Sequence, residues 1–381
     1  MSFIHCFKPL KRPTSSTGTR PFFIAPHHYR PISVAKMSEQ KARVLIVGTG
    51  GVGTMSAYAL QQGGKAEVTA VMRSNYEAVK ANGVNIDSVQ YGNGIRFRPT
   101  NICKAVPDVV KENLPPFDFI LVTTKNIPDV SPTVADIISP AVTPGKTVIV
   151  LSQNGINIEK PIIPRFPTNP LISSVSFVGA TTRSHCDILH DDPDEQKIGP
   201  FSSPGVPAQV AEAAAKRYID IYNPHGKLDL IYDADVRRCR WRKLLYNGSY
   251  NPVSTILRMD TPRMRMSAHV IDDLIRPIMK EILAAARADA VTDLPDELVE
   301  SVIRGDPVDT AFKPSMCQDI EKGNLFEVEN IVGEPLREGE AKGVSMPTLR
   351  TVYGILKGLQ LQVKESKGLW EPKFTTDNPY Q

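Results

Sequence analysis

The chain has 381 residues, 41% of them hydrophobic and 23% charged, with a formal net charge of +4. That length and apolar content suffice for two or three domains with full cores. The first 38 residues carry Lys8, Lys11, Arg12, Arg20, Arg30 and Lys36 and no acid, so the remainder is close to neutral and composition gives no argument for a nucleic-acid partner.

Five cysteines are scattered without a C-x-x-C pair, which argues against a disulfide framework or a structural metal site. No apolar run approaches the roughly 18 residues that suggest a membrane-spanning helix, so no membrane partner is expected. Residues 1–41 are rich in Ser, Thr, Pro and basic residues and have no apolar period. Two readings stay open: a mitochondrial presequence, or a basic tail ahead of a working start at Met37, which makes the protein cytoplasmic. Pro21, Pro26 and Pro31 interrupt any amphipathic helix there and weigh against the presequence.

Residues 44–47 form a short apolar run suited to a buried parallel strand, and Gly48, Gly50 and Gly53 follow in the spacing G-x-G-x-x-G, with Thr49, Gly51 and Val52 between them. Residues 54–62 then read as a helix. Its unpaired first N–H groups would face whatever lies over the glycines, which is a seat for a pyrophosphate. A structural strand-to-helix turn is the plainer alternative. Residues 67–72 form a second apolar strand, and Arg73 stands where NAD-binding units place a carboxylate for the ribose, about 20 residues beyond the glycines. A guanidinium suits a 2′-phosphate, so the sequence favours NADPH, unless Arg73 only ends the strand.

Strands expected at 44–47, 68–72, 117–123 and 147–151 alternate with helical or loop segments, the mark of a doubly wound parallel sheet. Ligands of such sheets bind at the strand C-terminal ends, where Lys125 and Asn154 fall. Residues 171–232 are assigned to the same domain as an antiparallel extension of the sheet. From Ala234 the pattern is helical. In a helix expected over 236–251, Trp241, Leu244, Leu245 and Gly248 form a buried stripe, while Lys243, Asn247 and Asn251 share another face at i, i+4 and i+8. Asn and Gly are poor helix formers, so either a polar ligand requires them or the helix end is frayed and solvated. Helices are expected at 266–290, 295–304, 315–339 and 347–364. Ser315 is placed to cap the third of them, with Glu327 and Glu329 farther along it as ordinarily solvated carboxylates. Residues 368–381 read as a tail, leaving a dinucleotide-binding domain at 42–233 and a helical domain at 234–367.

The set G-T-G-G-V-G, T-K, Q-N-G, W-R-K-L-L-Y-N-G-S-Y-N-P and P-S-M-C-Q-D-I-E-K-G-N-L-F-E-V-E-N-I-V-G resembles the ketopantoate reductases over about residues 43–364. The resemblance implies an α/β fold, with an N-terminal Rossmann-type parallel-sheet domain and an all-helical C-terminal domain, and NADPH-dependent reduction of 2-dehydropantoate to pantoate. It also implies Lys243 as general acid, with Glu327 completing the acid site. Asn247, Asn251 and Ser315 would hold the substrate, and Lys125 and Asn154 would line the cleft by both substrate and cofactor. Family members commonly show Y-I-N-G where this chain has Asn330-Ile331-Val332-Gly333, and residues 183–204 look long and polar, which leaves the particular 2-oxo acid open. Two alternatives stand beside this: a reductase of another 2-oxo acid or dicarbonyl, and a non-catalytic NADP(H) sensor. A methyltransferase would want a carboxylate where Arg73 stands. The expected partners are a small-molecule 2-oxo acid and, at most, a second copy of the chain.

Overall fold

The computed structural model describes residues 40–374, 376 and 378–380. Residues 1–39, with the presequence and Met37 readings, lie outside the described residues.

The chain begins as β1 (Ala42–Val47), α1 (Gly51–Gln62), β2 (Ala66–Val71), α2 (Tyr76–Asn82), β3 (Val84–Ser88), β4 (Gly92–Phe97), β5 (Asn101–Cys103), β6 (Phe119–Val122), α3 (Val134–Ile138) and β7 (Val148–Leu151). It continues with β8 (Leu171–Ser176), β9 (Gly179–Ser184), β10 (Asp187–Asp192), β11 (Glu195–Pro200), α4 (Ala208–Tyr222) and β12 (Asp229–Tyr232). The four strands expected from apolar runs form as β1, β2, β6 and β7, each within two residues of its expected bounds. They are buried because both faces of a parallel sheet are covered: Val44, Leu45, Ile46, Phe119, Ile120 and Val122 are fully inaccessible to solvent.

The eight-stranded sheet has the order β12-β11-β8-β7-β6-β1-β2-β5, and every pairing from β8 to β5 is parallel. From β1 the chain proceeds outward through β2 to β5, then returns to the other side of β1 for β6, β7 and β8. The order therefore reverses between β1 and β6, and a ligand crevice opens there at the strand C-terminal ends. The antiparallel extension expected for residues 171–232 holds only in part. β8 is parallel to β7, and direction reverses only at β11, with β12 parallel to it.

A second sheet, β4-β3-β10-β9, joins segments about 100 residues apart, with Asp187 of β10 opposite Asn85 of β3. The long polar stretch at 183–204 forms the end of the β9–β10 hairpin and β11. Its polar residues are tolerable because β9 lies at an edge, with Arg183 and Ser184 exposed.

After β12 the described elements are helical: α5 (Val236–Asn247), α6 (Tyr250–Leu257), α7 (Thr261–Arg265), α8 (Arg276–Ala288), α9 (Glu297–Ile303), α10 (Ser315–Glu321), α11 (Glu334–Ala341) and α12 (Pro347–Ser366). Two π-helical turns, Val270–Ile275 and Glu329–Gly333, lead into α8 and α11. Trp241, Leu244 and Leu245 pack with Ile282, Phe326 and Leu349 in one core, and the Trp241 indole donates to Asp289 at 2.9 Å.

Three expectations need correction. The helix expected over 236–251 breaks at Gly248-Ser249. Gly248 has ordinary helical dihedrals, and its lack of a side chain serves packing, since a Cβ there would stand 2.5 Å from Ile282 Cδ1. The helix expected over 315–339 ends at Glu321, turns at Gly323 with φ +65 and runs without helix to Glu327, so Glu327 is not helical. Glu329 is not solvated: it accepts from Lys357 at 2.7 Å, Arg337 at 2.9 Å and Tyr353 at 3.0 Å.

Candidate active site

The glycine turn is shaped by contact. Gly48 has φ +105, a region that L side chains rarely adopt, and a Cβ on it would lie 2.5 Å from the Thr124 nitrogen. A Cβ on Gly53 would lie 2.0 Å from the Gly48 oxygen, so α1 packs directly on the turn. Gly50 differs: nothing lies within 4 Å of where its Cβ would be. Gly50, Gly51, Val52 and Gly53 line the cleft, and no side chain caps the first turn of α1. Open space over uncapped N–H groups fits a pyrophosphate. Thr49 points elsewhere, donating from Oγ1 to the Val71 oxygen at 2.8 Å, which holds the turn against the end of β2. Arg73 follows two residues beyond the end of β2 and is exposed.

The cleft has a volume of about 920 Å³ and runs from the glycine turn to the helical elements. Lys125 enters it after β6 and Asn154 after β7, from the two strands on the far side of the switch point. The loop carrying Asn154 is fixed to the helical part. Gly155 has φ +87, the Ile156 N–H donates to the Asn330 oxygen at 3.1 Å, and Asn330 Nδ2 returns a bond to the Ile156 oxygen at 3.0 Å. The departure from the common Y-I-N-G pattern thus falls at a domain junction.

Lys243, on α5, faces this loop. Its ammonium donates to Asn154 Oδ1 at 3.0 Å and to the Ser176 carbonyl, and lies 5.0 Å from the centre of the Phe177 ring. Burial, reinforced by the charge of Arg240, lowers its pKa to about 8 against the opposing pull of Cys239 and Glu327. Glu327 is 4% exposed. It accepts from the Asn126 N–H at 3.1 Å and lies 3.7 Å from Lys125. Burial pushes its carboxyl up, while Lys125 and the Asn126 N–H pull it down. The Asn154 amide thus acts on both groups, accepting from the Lys243 ammonium and favouring the charged form of Glu327. Lys125 makes its closer ion pair with Asp319 at 2.6 Å, and although burial opposes it, the two carboxylates hold its pKa above the usual lysine value.

Asn247 lines the cleft at 7% exposure, and its amide has no side-chain partner among the described residues. A buried amide so placed is available to a ligand. Asn251, across the break at Gly248, still reaches the cleft. Its Oδ1 accepts the Met316 N–H at 3.1 Å. The cap expected from Ser315 is not made: Pro314 occupies the cap position, Ser315 is the first helical residue, and Asn251 satisfies the second N–H of α10. That leaves Ser315 lining the cleft. The cleft thus brings together the catalytic and substrate-binding candidates, while Gly48, Thr49 and Arg73 lie outside its lining. Arg240, Phe177 and the Ser176 carbonyl were not singled out from sequence. Arg240 is one of four arginines in V-R-R-C-R-W-R-K, and nothing local distinguishes it from Arg237, Arg238 and Arg242.

A doubly wound sheet with a bare glycine turn, facing a helical wall with a half-buried lysine and a buried carboxylate, defines a class of nicotinamide-dependent oxidoreductases. The chain belongs to the ketopantoate reductase PanE/ApbA family, a family of NAD(P)-dependent oxidoreductases: the family model matches residues 44–203 and its C-terminal model residues 235–360. It is 33% identical over 349 residues to an uncharacterized protein of Saccharomyces cerevisiae, covering 86% of this chain and 96% of that one. The crystal structure of 2-dehydropantoate 2-reductase from Methylococcus capsulatus is similar at 30% identity and TM-score 0.69, over 84% of this chain and 97% of that one. D-mandelate dehydrogenase with NADH and anilino(oxo)acetate shares the fold at 21% identity and TM-score 0.71, over 84% and 99% of the two chains.

Proposed function

We propose that this chain reduces 2-dehydropantoate (ketopantoate) to pantoate with NADPH, a step towards pantothenate and coenzyme A, with Lys243 as the general acid. The observation that carries the reading is the Lys243 ammonium in the cleft, held by Asn154 Oδ1 and the Ser176 carbonyl with a pKa of about 8. A proton donor of that strength is charged at neutral pH and releases its proton readily. Gly50, Gly51, Val52 and Gly53 would hold NADPH, which would supply the hydride when bound. As charge builds on the carbonyl oxygen of the oxo acid, Lys243 delivers a proton there, while Asn154 orients the ammonium. Asn247, Asn251 and Ser315 hold the substrate's polar groups, and Glu327 accepts a hydroxyl donor or steadies the ammonium through Asn154. Following NADPH absorbance with purified protein across a panel of 2-oxo acids, ketopantoate included, tests the proposal. Oxidation with another member and none with ketopantoate would move the assignment to the second reading. That reading, a reductase of a larger 2-oxo acid or dicarbonyl, is favoured by the extension of the cleft past Asn251 to Asp306 and Phe312. A non-catalytic NADP(H) sensor would need neither Lys243 nor Glu327.

Arg73 is expected to set the cofactor preference, because its guanidinium has a 2′-phosphate to bind only in NADPH. Charged hydrogen bonds contribute about 1.5–3 kcal/mol, so Arg73→Ala should weaken NADPH roughly 10- to 100-fold and leave NADH nearly unchanged. Calorimetric titration of both cofactors checks this, and a preserved preference in the variant would remove Arg73 from the role. Asn247→Ala should raise KM for the oxo acid about 3- to 10-fold with a smaller fall in kcat, as expected for a neutral hydrogen bond of ~1 kcal/mol. Steady-state kinetics with unchanged KM would exclude the contact. On this proposal the enzyme is cytoplasmic and works as a monomer or homodimer. Imaging the full-length chain against the form starting at Met37, and sedimentation of the purified protein, test these two points.

A further inference from the structure

Arg240 sits one helical turn before Lys243 on α5 and is 5% exposed. Its guanidinium donates to the Gly155 oxygen at 2.8 Å, the Gln153 oxygen at 2.9 Å, Ser173 Oγ at 2.9 Å and the Leu151 oxygen at 3.2 Å, and lies 5.2 Å from the centre of the Phe201 ring. Every one of those acceptors is neutral, and no carboxylate pairs with Arg240 among the described residues. A buried cation without a paired anion is costly. Two of its carbonyl partners flank Asn154, the residue that binds the Lys243 ammonium. Arg240, Lys243, Asn154 and Asn247 also line one small cavity of about 10 Å³, so the two cations face a common space.

We infer that Arg240 is a positioning residue for the reaction: its fork fixes the loop that presents Asn154, and its unpaired charge repels the Lys243 ammonium and so eases proton release. The inference rests on Lys243 as the acid. The other groups facing the pair are Glu159 after β7, Cys239 on α5 and Glu327. Glu159 attracts Arg240 without contacting it, and burial raises its own pKa. Cys239 and Glu327 both favour the charged lysine. Lys197 of β11 faces Cys239 and favours its thiolate. Arg240 is the first neighbouring charge that acts on Lys243, after burial itself.

The experiment is an NMR titration of the full protein labelled with 13Cε-lysine, the Lys243 resonance being assigned by its absence in Lys243→Ala. The wild-type midpoint should fall near 8. In Arg240→Met, removing a like charge should raise it by about one pH unit, and the high-pH limb of kcat should move with it. Arg240→Gln, which removes the charge but keeps a polar group in the site, serves as the readout if Arg240→Met does not fold. A midpoint unmoved in the folded variant would overturn the inference and leave Arg240 a purely structural clamp. Failure of the underlying reading looks different: Lys243→Ala would then keep the wild-type kcat limb, whatever the Arg240 variants do.

Discussion

Lys243→Ala is expected to lower kcat by about 10²–10⁴, the usual range for loss of general acid catalysis, with NADPH affinity and thermal stability close to wild type. The separation of effects follows from where the ammonium is bound. Its partners are Asn154 and the Ser176 carbonyl at the base of the cleft, while the glycine turn that would hold the pyrophosphate lies at the end of β1. The wild-type rate should also carry a pH signature. Lys243 must be protonated to act, and its pKa is lowered to about 8, so kcat should be level below that value and fall as pH rises through it. An ordinary lysine, at ~10.4, would put that limb more than two units higher. Single-turnover NADPH oxidation across pH, in wild type and variant, reads both effects. A rate for Lys243→Ala within a few-fold of wild type, with the limb in place, would remove the lysine from the chemistry.

What could be read from the sequence was what depends on short spacing. The glycine turn is announced by its neighbours, an apolar run before it and a helix after it, and the structure places all three together. Lys243 and Asn247 lie four residues apart on one helix, so their shared face follows from helical geometry alone. Asn251 reached the cleft for a different reason than the one expected. The helix breaks at Gly248, and a second helix brings its amide to the Met316 N–H. What could not be read depends on contacts distant in sequence. β10 pairs with β3 across about 100 residues, and neither strand has a strong enough apolar alternation to declare the partner. Glu327 looked like one more carboxylate on a long helix. Its burial comes from the Asn126 N–H, 201 residues away, which no local pattern contains. Arg240 was hidden for the same reason, since its acceptors are the oxygens of residues 67 to 89 positions earlier.

Glu327→Gln is expected to lower kcat/KM by roughly 10- to 100-fold while leaving the protein folded, on the scale of about 1.5–3 kcal/mol for a hydrogen bond to a charged group. The amide can still accept the Asn126 N–H, so the structural bond survives and only the charge is lost. Three consequences of that loss have a definite sign. Lys125 keeps only Asp319 as a carboxylate partner, so its pKa should fall. Asn154 no longer meets an anion and is held less firmly against the Lys243 ammonium. Lys243 itself loses a neighbour that favours its charged form, so the high-pH limb of kcat should move to lower pH, opposite to the shift expected for Arg240→Met. Glu327→Ala should show the same kinetic losses and a further stability cost of about 1–3 kcal/mol, because the buried Asn126 N–H is then left without an acceptor. Thermal melts separate the two variants, and pH-dependent kcat/KM reads the charge effect in the folded one. Wild-type kcat/KM and an unmoved limb in Glu327→Gln would show that the carboxylate contributes its shape and not its charge, and would leave Lys243 tuned by burial, Arg240 and Cys239.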